Sequence, residues 1–122
     1  MKKYTKEHEW VSLYGSVATV GITGYAAKEL GDITYVELPE VDEDASEGEV
    51  LTVVESVKAA TDVFSPLSGT IIDVNEELED NPQTVSVSPE DDGWICKIDG
   101  ISEGDLVDLM SEDEYRAYLK TL

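Results

Sequence analysis

The chain has little of several things: a single cysteine, a single histidine, one phenylalanine, and only eight lysines and arginines against 28 aspartates and glutamates in 122 residues. One cysteine excludes an internal disulfide and a cysteine-based zinc site. No run of roughly 18 or more apolar residues occurs, which excludes an ordinary membrane-spanning helix. The first residues carry neither an apolar signal core nor an arginine-rich transit pattern, so a cytoplasmic location is expected. The formal net charge of −20 argues against nucleic acid, whose phosphates are bound by Lys and Arg that neutralise them, and against anionic lipid for the same reason. The acidity suits solubility, steering toward basic surfaces or life in high salt. The length fits one domain over residues 1–122, large enough to bury a sizeable core.

The scarce cations are unevenly placed. Between Lys28 and Lys97 the only Lys or Arg is Lys58, in the interval that carries most of the carboxylates. Lys58 lies between two runs rich in β-branched and aromatic residues, Val50 to Val54 and Val63 to Val74, with Pro66 and Gly69 marking a bend in the second. This pattern predicts a β-hairpin with Lys58 near its tip. A lysine in a turn is ordinarily just solvated.

The rest of the chain is read in the same way. Tyr4 to Val11 is an irregular lead into a strand, and Ser16 to Ile22 alternates with period two. Thr23 is placed as the N-cap of a short helix ending at Leu30, which Gly31 stops. Asp32 to Leu38 is a strand ended by Pro39. The acidic segment Glu40 to Glu49 has a weak likeness to a calcium loop, but its glycine falls one position late, so a solvated acidic turn is expected. Glu76 to Pro82 is read as a second acidic turn, and Thr84 to Val87 and Trp94 to Ile98 as strands. In the latter, alternation puts Trp94, Cys96 and Ile98 on one face, with Cys96 as a small buried hydrophobe. Ser102-x-x-Asp105 opens a helical run, and Ser111-x-x-Glu114 is a capping box for a last helix. Gly31-x-Ile33-x-x-Val36 recurs as Gly69-x-Ile71-x-x-Val74, a faint internal repeat.

The wording around Lys58, Glu55-Ser56-Val57-Lys58-Ala59 followed by Asp62 and Ser65-Pro66-Leu67-Ser68-Gly69, resembles the lipoyl-lysine hairpin of the H proteins of the glycine cleavage system. His8-Glu9-Trp10-Val11, Gly21-Ile22-Thr23, Leu30-Gly31-Asp32, Val36-Glu37-Leu38-Pro39, Val74-Asn75 with Leu78, and Gly93-Trp94 with Lys97-Ile98 resemble further landmarks of that family, in its order, from about Tyr4 to Leu119. The resemblance implies a mainly β fold, a flattened barrel-sandwich hybrid of the lipoyl/biotinyl-carrier kind with short peripheral and C-terminal helices. The repeat would then mark two half-barrels, with the Lys58 hairpin at one end and a counterpart turn near Pro89 to Gly93.

The same resemblance implies a carrier acting as the substrate of partner enzymes, with lipoate joined covalently to Lys58 and Glu55 helping the lipoylating enzyme to recognise it. The implied role is to shuttle an aminomethyl group from a pyridoxal-phosphate glycine decarboxylase to a folate-dependent aminomethyltransferase, and reducing equivalents to a dihydrolipoyl dehydrogenase. Glu9 and Asp62 match positions lining the family's pocket for the loaded arm. Glu7 and Glu29 stand where that pocket can hold a hydroxyl and an imidazole. A monomer is expected. No catalytic residue and no metal are expected, and His8, without a Ser or Cys partner in a motif, is read as a packed or surface histidine. Four alternatives stay open: an H-like paralogue relaying lipoate to other complexes, a lipoyl or biotinyl module of another complex, a purely structural acidic binding module with an unmodified Lys58, and an enzyme using Lys58 as a Schiff-base nucleophile. The last is disfavoured because the surrounding carboxylates favour a charged lysine.

Overall fold

Alternating side chains in the N-terminal third build the first sheet. A computed structural model describes all residues, 1–122, and places strands at Lys2–Tyr4 (β1), Glu9–Tyr14 (β2) and Val17–Ile22 (β3), with Val11, Leu13, Ala18, Val20 and Ile22 directed into the core. Thr23 caps the helix Gly24–Leu30 (α1) by accepting from the Ala26 N–H, and Gly31 ends it with φ of 77°. The next strands are Ile33–Glu37 (β4), the two-residue Asp44–Ala45 (β5), Val50–Ser56 (β6), Ala60–Phe64 (β7), Gly69–Val74 (β8) and Cys96–Asp99 (β9). They form a six-stranded sheet in the order β1-β2-β3-β9-β8-β5 and a three-stranded sheet β4-β6-β7. Between them lies a single core of 21 buried residues drawn from both sheets, the arrangement of a barrel-sandwich.

The repeat is visible in the ladders. Gly31 lies just before β4 and Gly69 opens β8, and the pairing of each strand slips by one residue at the same offset from its glycine, between Ile33 and Tyr35 against β6 and between Ile71 and Asp73 against β9. A bulge bends the strand and increases its twist, so the two copies turn the sheet at matching places. The counterpart turn was expected at Pro89 to Gly93, but that segment links a helix to β9 and is not a hairpin tip.

Two further expectations are corrected. Glu76 to Pro82 is not a plain turn, and Thr84 to Val87 is not a strand: helices occupy Glu77–Asp80 (α2) and Gln83–Val87 (α3). As a strand, Val85 and Val87 would share a face; in the helix Val85 is fully buried beside Leu78 while Val87 is 83% exposed. In the last strand Cys96 and Ile98 do face the core, and burial pushes the Cys96 thiol up to about 12, leaving it an inert core group. Trp94, however, precedes β9 and packs half-buried against Tyr4, Trp10 and Tyr115, and Ile95 takes the core position. The C-terminal helix Glu112–Leu119 (α4) begins at the expected Ser111 capping box and lays Tyr115 flat on Tyr4, with ring centroids 4.8 Å apart.

Candidate functional site: a hairpin lysine beside an acidic cleft

β6 and β7 pair antiparallel from Val50↔Phe64 to Glu55↔Ala60, which leaves Val57 and Lys58 at the tip. The turn is closed by its own hydrogen bonds. Ser56 N–H donates to Ala59 O at 2.9 Å, and the Ser56 hydroxyl oxygen accepts from the N–H groups of Lys58 and Ala59, both at 3.2 Å. Val57 N–H donates to Asp32 O at 3.1 Å, tying the tip to the lead into β4. The lysine side chain is exposed, yet it leans on α1. Its Nζ donates to Glu29 O at 3.5 Å, one of the last carbonyls of that helix, where a cation is favoured by the helix dipole. Its stem passes the bare α-carbon of Gly31, where an added Cβ would stand 3.7 Å from Lys58 Cε.

Beyond that contact opens a cleft of about 190 Å³, lined by Glu7, His8, Glu9, Tyr25, Glu29 and Asp62 together with apolar Ile22, Leu30 and Val63. The structure thus brings Glu9, Asp62 and Glu29 together from β2, β7 and α1, with Glu7 beside them. Glu55 is not among them; it stands exposed on β6, opposite Ala60 and Tyr35.

Glu9 shares the inward face of β2 with Val11 and Leu13 and is only 3% exposed. Burial disfavours its charged form and pushes the carboxyl up to about 7, against the opposing pull of a hydrogen bond from Thr5. Thr5 is the local hub: its hydroxyl donates to Glu9 Oε1 at 2.8 Å and accepts from the N–H groups of Glu7 and Glu9 at 3.2 and 3.1 Å.

His8 holds a left-handed backbone, φ 67°, that few side chains adopt. Its Nδ1 lies 2.8 Å from the Tyr115 hydroxyl, which lies 2.7 Å from the Thr23 hydroxyl. The imidazole leans on the Tyr25 ring at 4.6 Å. Burial lowers the His8 pKa, against Glu7 and Glu29, which pull it up. Thr5 and Tyr115 had no sequence signal beyond their residue types, and the left-handed turn that aims His8 into the cleft has none at all. No group of three or more His, Cys, Asp or Glu side chains converges to hold a metal ion, and no helix is long and apolar enough to cross a membrane.

Two bulged sheets around one core, with a reachable amine on a rigid tip and a cleft within reach of it, make up the frame of a carrier module. A family model described as "Glycine cleavage H-protein" matches residues 2–122. The chain is 52% identical to a glycine cleavage system H protein of Thermotoga maritima over 97% of its own length and 95% of the relative's, and 52% identical to one of Caulobacter vibrioides over 98% and 99%. It superimposes on the crystal structure of a glycine cleavage system H protein from Mycobacterium marinum with TM-score 0.84 at 36% identity, covering 99% of this chain and 97% of that one. The chain belongs to the glycine cleavage H-protein family, a family of carriers.

Proposed function

We propose that Lys58 is the attachment point of a lipoyl arm, and that the chain serves the glycine cleavage system as its mobile carrier between the glycine decarboxylase, the aminomethyltransferase and the dihydrolipoyl dehydrogenase. One observation carries this reading: the only cation between Lys28 and Lys97 stands exposed at a self-braced hairpin tip and already touches Glu29, a wall of the cleft. The residues present fit such a group. Lys58 offers a primary amine to a ligase, and the flanking strands hold it in fixed geometry. The dithiolane, when bound, supplies the sulfur that accepts an aminomethyl group and the disulfide that is reduced and reoxidised.

This chain's own residues anchor, bind and shield. Lys58 anchors the arm, and acylation removes the charge that rests on the Glu29 carbonyl. Asp62 and Glu29 offer carboxylates to a cationic cargo, and Glu9 offers a third when it gives up the proton that burial favours, each charge-assisted hydrogen bond contributing about 1.5–3 kcal/mol. Ile22, Leu30 and Val63 give the cleft an apolar floor that limits water. Glu55 stands on the tip's other flank, placed to be read by the lipoylating enzyme.

Intact mass measurement of natively expressed chain, followed by peptide mapping, tests the reading. A lipoyl adduct on Lys58, lost in Lys58→Ala along with glycine-dependent turnover, is the expected result. A biotinyl adduct, no adduct, or a folded Lys58→Ala variant that still supports turnover rejects it.

A further inference from the structure

The cleft contains a charge problem. It gathers Glu7, Glu9, Glu29 and Asp62 around one imidazole, His8. A histidine facing carboxylates ordinarily takes up a proton, because an opposite charge favours its charged form. An imidazolium there would pair with one of the carboxylates and cancel part of the cleft's negative charge.

The hydrogen bonds behind His8 prevent this. Thr23 is fully buried, and its hydroxyl oxygen already accepts from the Ala26 N–H at 3.3 Å as the cap of α1. Its own proton, buried with it, has one acceptor within reach, the Tyr115 oxygen at 2.7 Å. The Tyr115 proton must in turn go to His8 Nδ1 at 2.8 Å. The chain runs one way, and it ends on an Nδ1 that accepts. The imidazole is thereby held neutral with its proton on Nε2, on the ring edge away from Tyr115. Protonating Nδ1 would put three protons on two hydrogen bonds and leave the hydroxyl proton of Tyr115 or of Thr23 without an acceptor in a buried place. No buried side-chain N or O is without a partner as the molecule stands.

We propose that Tyr115 is a positioning residue acting through His8: the one-way relay from Thr23 through Tyr115 keeps the imidazole neutral, so that no internal cation competes with a cationic cargo for the cleft's carboxylates. The cargo half of this rests on the carrier reading above; the relay half does not. The charged and titratable groups around the imidazole agree with a site that needs such a guard. Glu7 and Glu9 come from the segment of His8 itself, Tyr25 and Glu29 from α1, Asp62 from β7, and Tyr115 and Tyr118 from α4, with Lys6 lying over the Tyr118 ring at 5.8 Å. Burial lowers the His8 pKa in spite of Glu7 and Glu29, the direction a neutral imidazole requires.

The experiment has two arms. On the full chain without its arm, nitrogen-15 NMR of the imidazole follows His8 from about pH 5 to about pH 8. The Nε2–H tautomer is expected in the parent, with a titration midpoint that rises in Tyr115→Phe, a variant that keeps the ring on Tyr4. An Nδ1–H tautomer, or an unchanged midpoint in Tyr115→Phe, overturns the relay whatever the cargo. The second arm measures ammonia release from the cargo-loaded carrier near pH 6.5, where Tyr115→Phe should lose cargo up to about tenfold faster, the scale of a midpoint moved by one pH unit. Adding His8→Asn, a neutral side chain that tolerates the left-handed backbone, should restore retention. His8→Lys in the parent, a fixed cation that leaves Tyr115 intact, should lose cargo as Tyr115→Phe does. If the tautomer is as expected but His8→Lys and Tyr115→Phe both hold cargo like the parent, the relay has no bearing on charge in the cleft and the inference fails. Because Tyr115→Phe could unfold the C-terminal helix, the tautomer of the parent keeps the relay falsifiable without that variant, and His8→Lys tests the effect of charge in the cleft separately.

Discussion

The Ser56 hydroxyl oxygen accepts from the main-chain N–H of Lys58 at 3.2 Å, so the residue that begins the turn fixes the direction in which the lysine leaves it. Ser56→Ala removes this bond and its twin to Ala59, and should lower the rate of lipoylation by about ten- to a hundredfold, the scale of a displaced reacting group. Moving the lysine by one residue, in Val57→Lys with Lys58→Val, should abolish modification, because residue 57 is tied through its N–H to Asp32. Mass spectrometry after incubation with the lipoylating enzyme reads both. Modification of the displaced lysine at the parent's rate would show that exposure alone is sufficient.

Glu9 and Asp62 face the same cleft from different strands. Glu9→Gln with Asp62→Asn should leave lipoylation intact while shortening the lifetime of the loaded carrier by at least about ten- to a hundredfold, the equilibrium equivalent of losing one of the two charge-assisted hydrogen bonds. Ammonia release from the purified loaded protein, with the aminomethyltransferase absent, is the measurement. A double variant that holds its cargo as long as the parent would reduce these carboxylates to a solvated face.

Glu9 should also shape stability against pH. Its folded carboxyl is pushed up to about 7 from 4.5, so between those values the folded chain holds a proton that the unfolded chain has released. Stability from this group is therefore full below the unfolded value, falls as pH rises through the window, and stays lower above about 7 by roughly 3 kcal/mol. Glu9→Gln should remove that decline, stabilising the chain near pH 8 and having little effect near pH 4. Urea midpoints at the two pH values test it, and equal effects at both would contradict it.

A fourth expectation concerns Gly69, which opens β8 and the second copy of the repeat. A Cβ there would collide with Asp99 O, a main-chain atom that cannot rotate away, and would stand 2.6 Å from Ile98 Cγ2. Gly69→Ala should lower stability by about 1–3 kcal/mol, as overpacking does. Gly48→Ala, with nothing within 4 Å, should suffer only the strain of φ 84°. Thermal melts of the two, side by side, separate collision from backbone strain.

What the sequence made legible were the elements whose neighbours in the chain decide them. The β6–β7 hairpin, the Thr23 and Ser111 caps and the Gly31 stop all follow from local patterns. Glu9, Asp62 and Glu29 entered through the family's motifs, and their assembly in one cleft depends on three distant elements. Val85 and Val87 misled because two β-branched residues spaced by two imitate a strand's alternation over so short a run; the burial of Val85 in the same core as Leu78 decides, and that packing is tertiary. β5 was invisible because two residues, Asp44 and Ala45, carry no period. His8 was read as an ordinary packed histidine because its importance lies in a hydroxyl more than a hundred residues away.

The sheet order also sets a sequence of events. The β6–β7 hairpin closes between neighbours, whereas β3 meets β9 only when Ala18 finds Ile98 across most of the chain. Loop closure on that scale is slow compared with hairpin formation, which takes about 1–10 μs. The Lys58 tip is therefore expected among the first pieces to form. The cleft, which needs β2, α1 and β7 assembled around the core, is expected late. Where Lys58 carries the proposed arm, a newly released chain would pass through a stage in which the tip has formed while nothing yet shelters what the arm will carry.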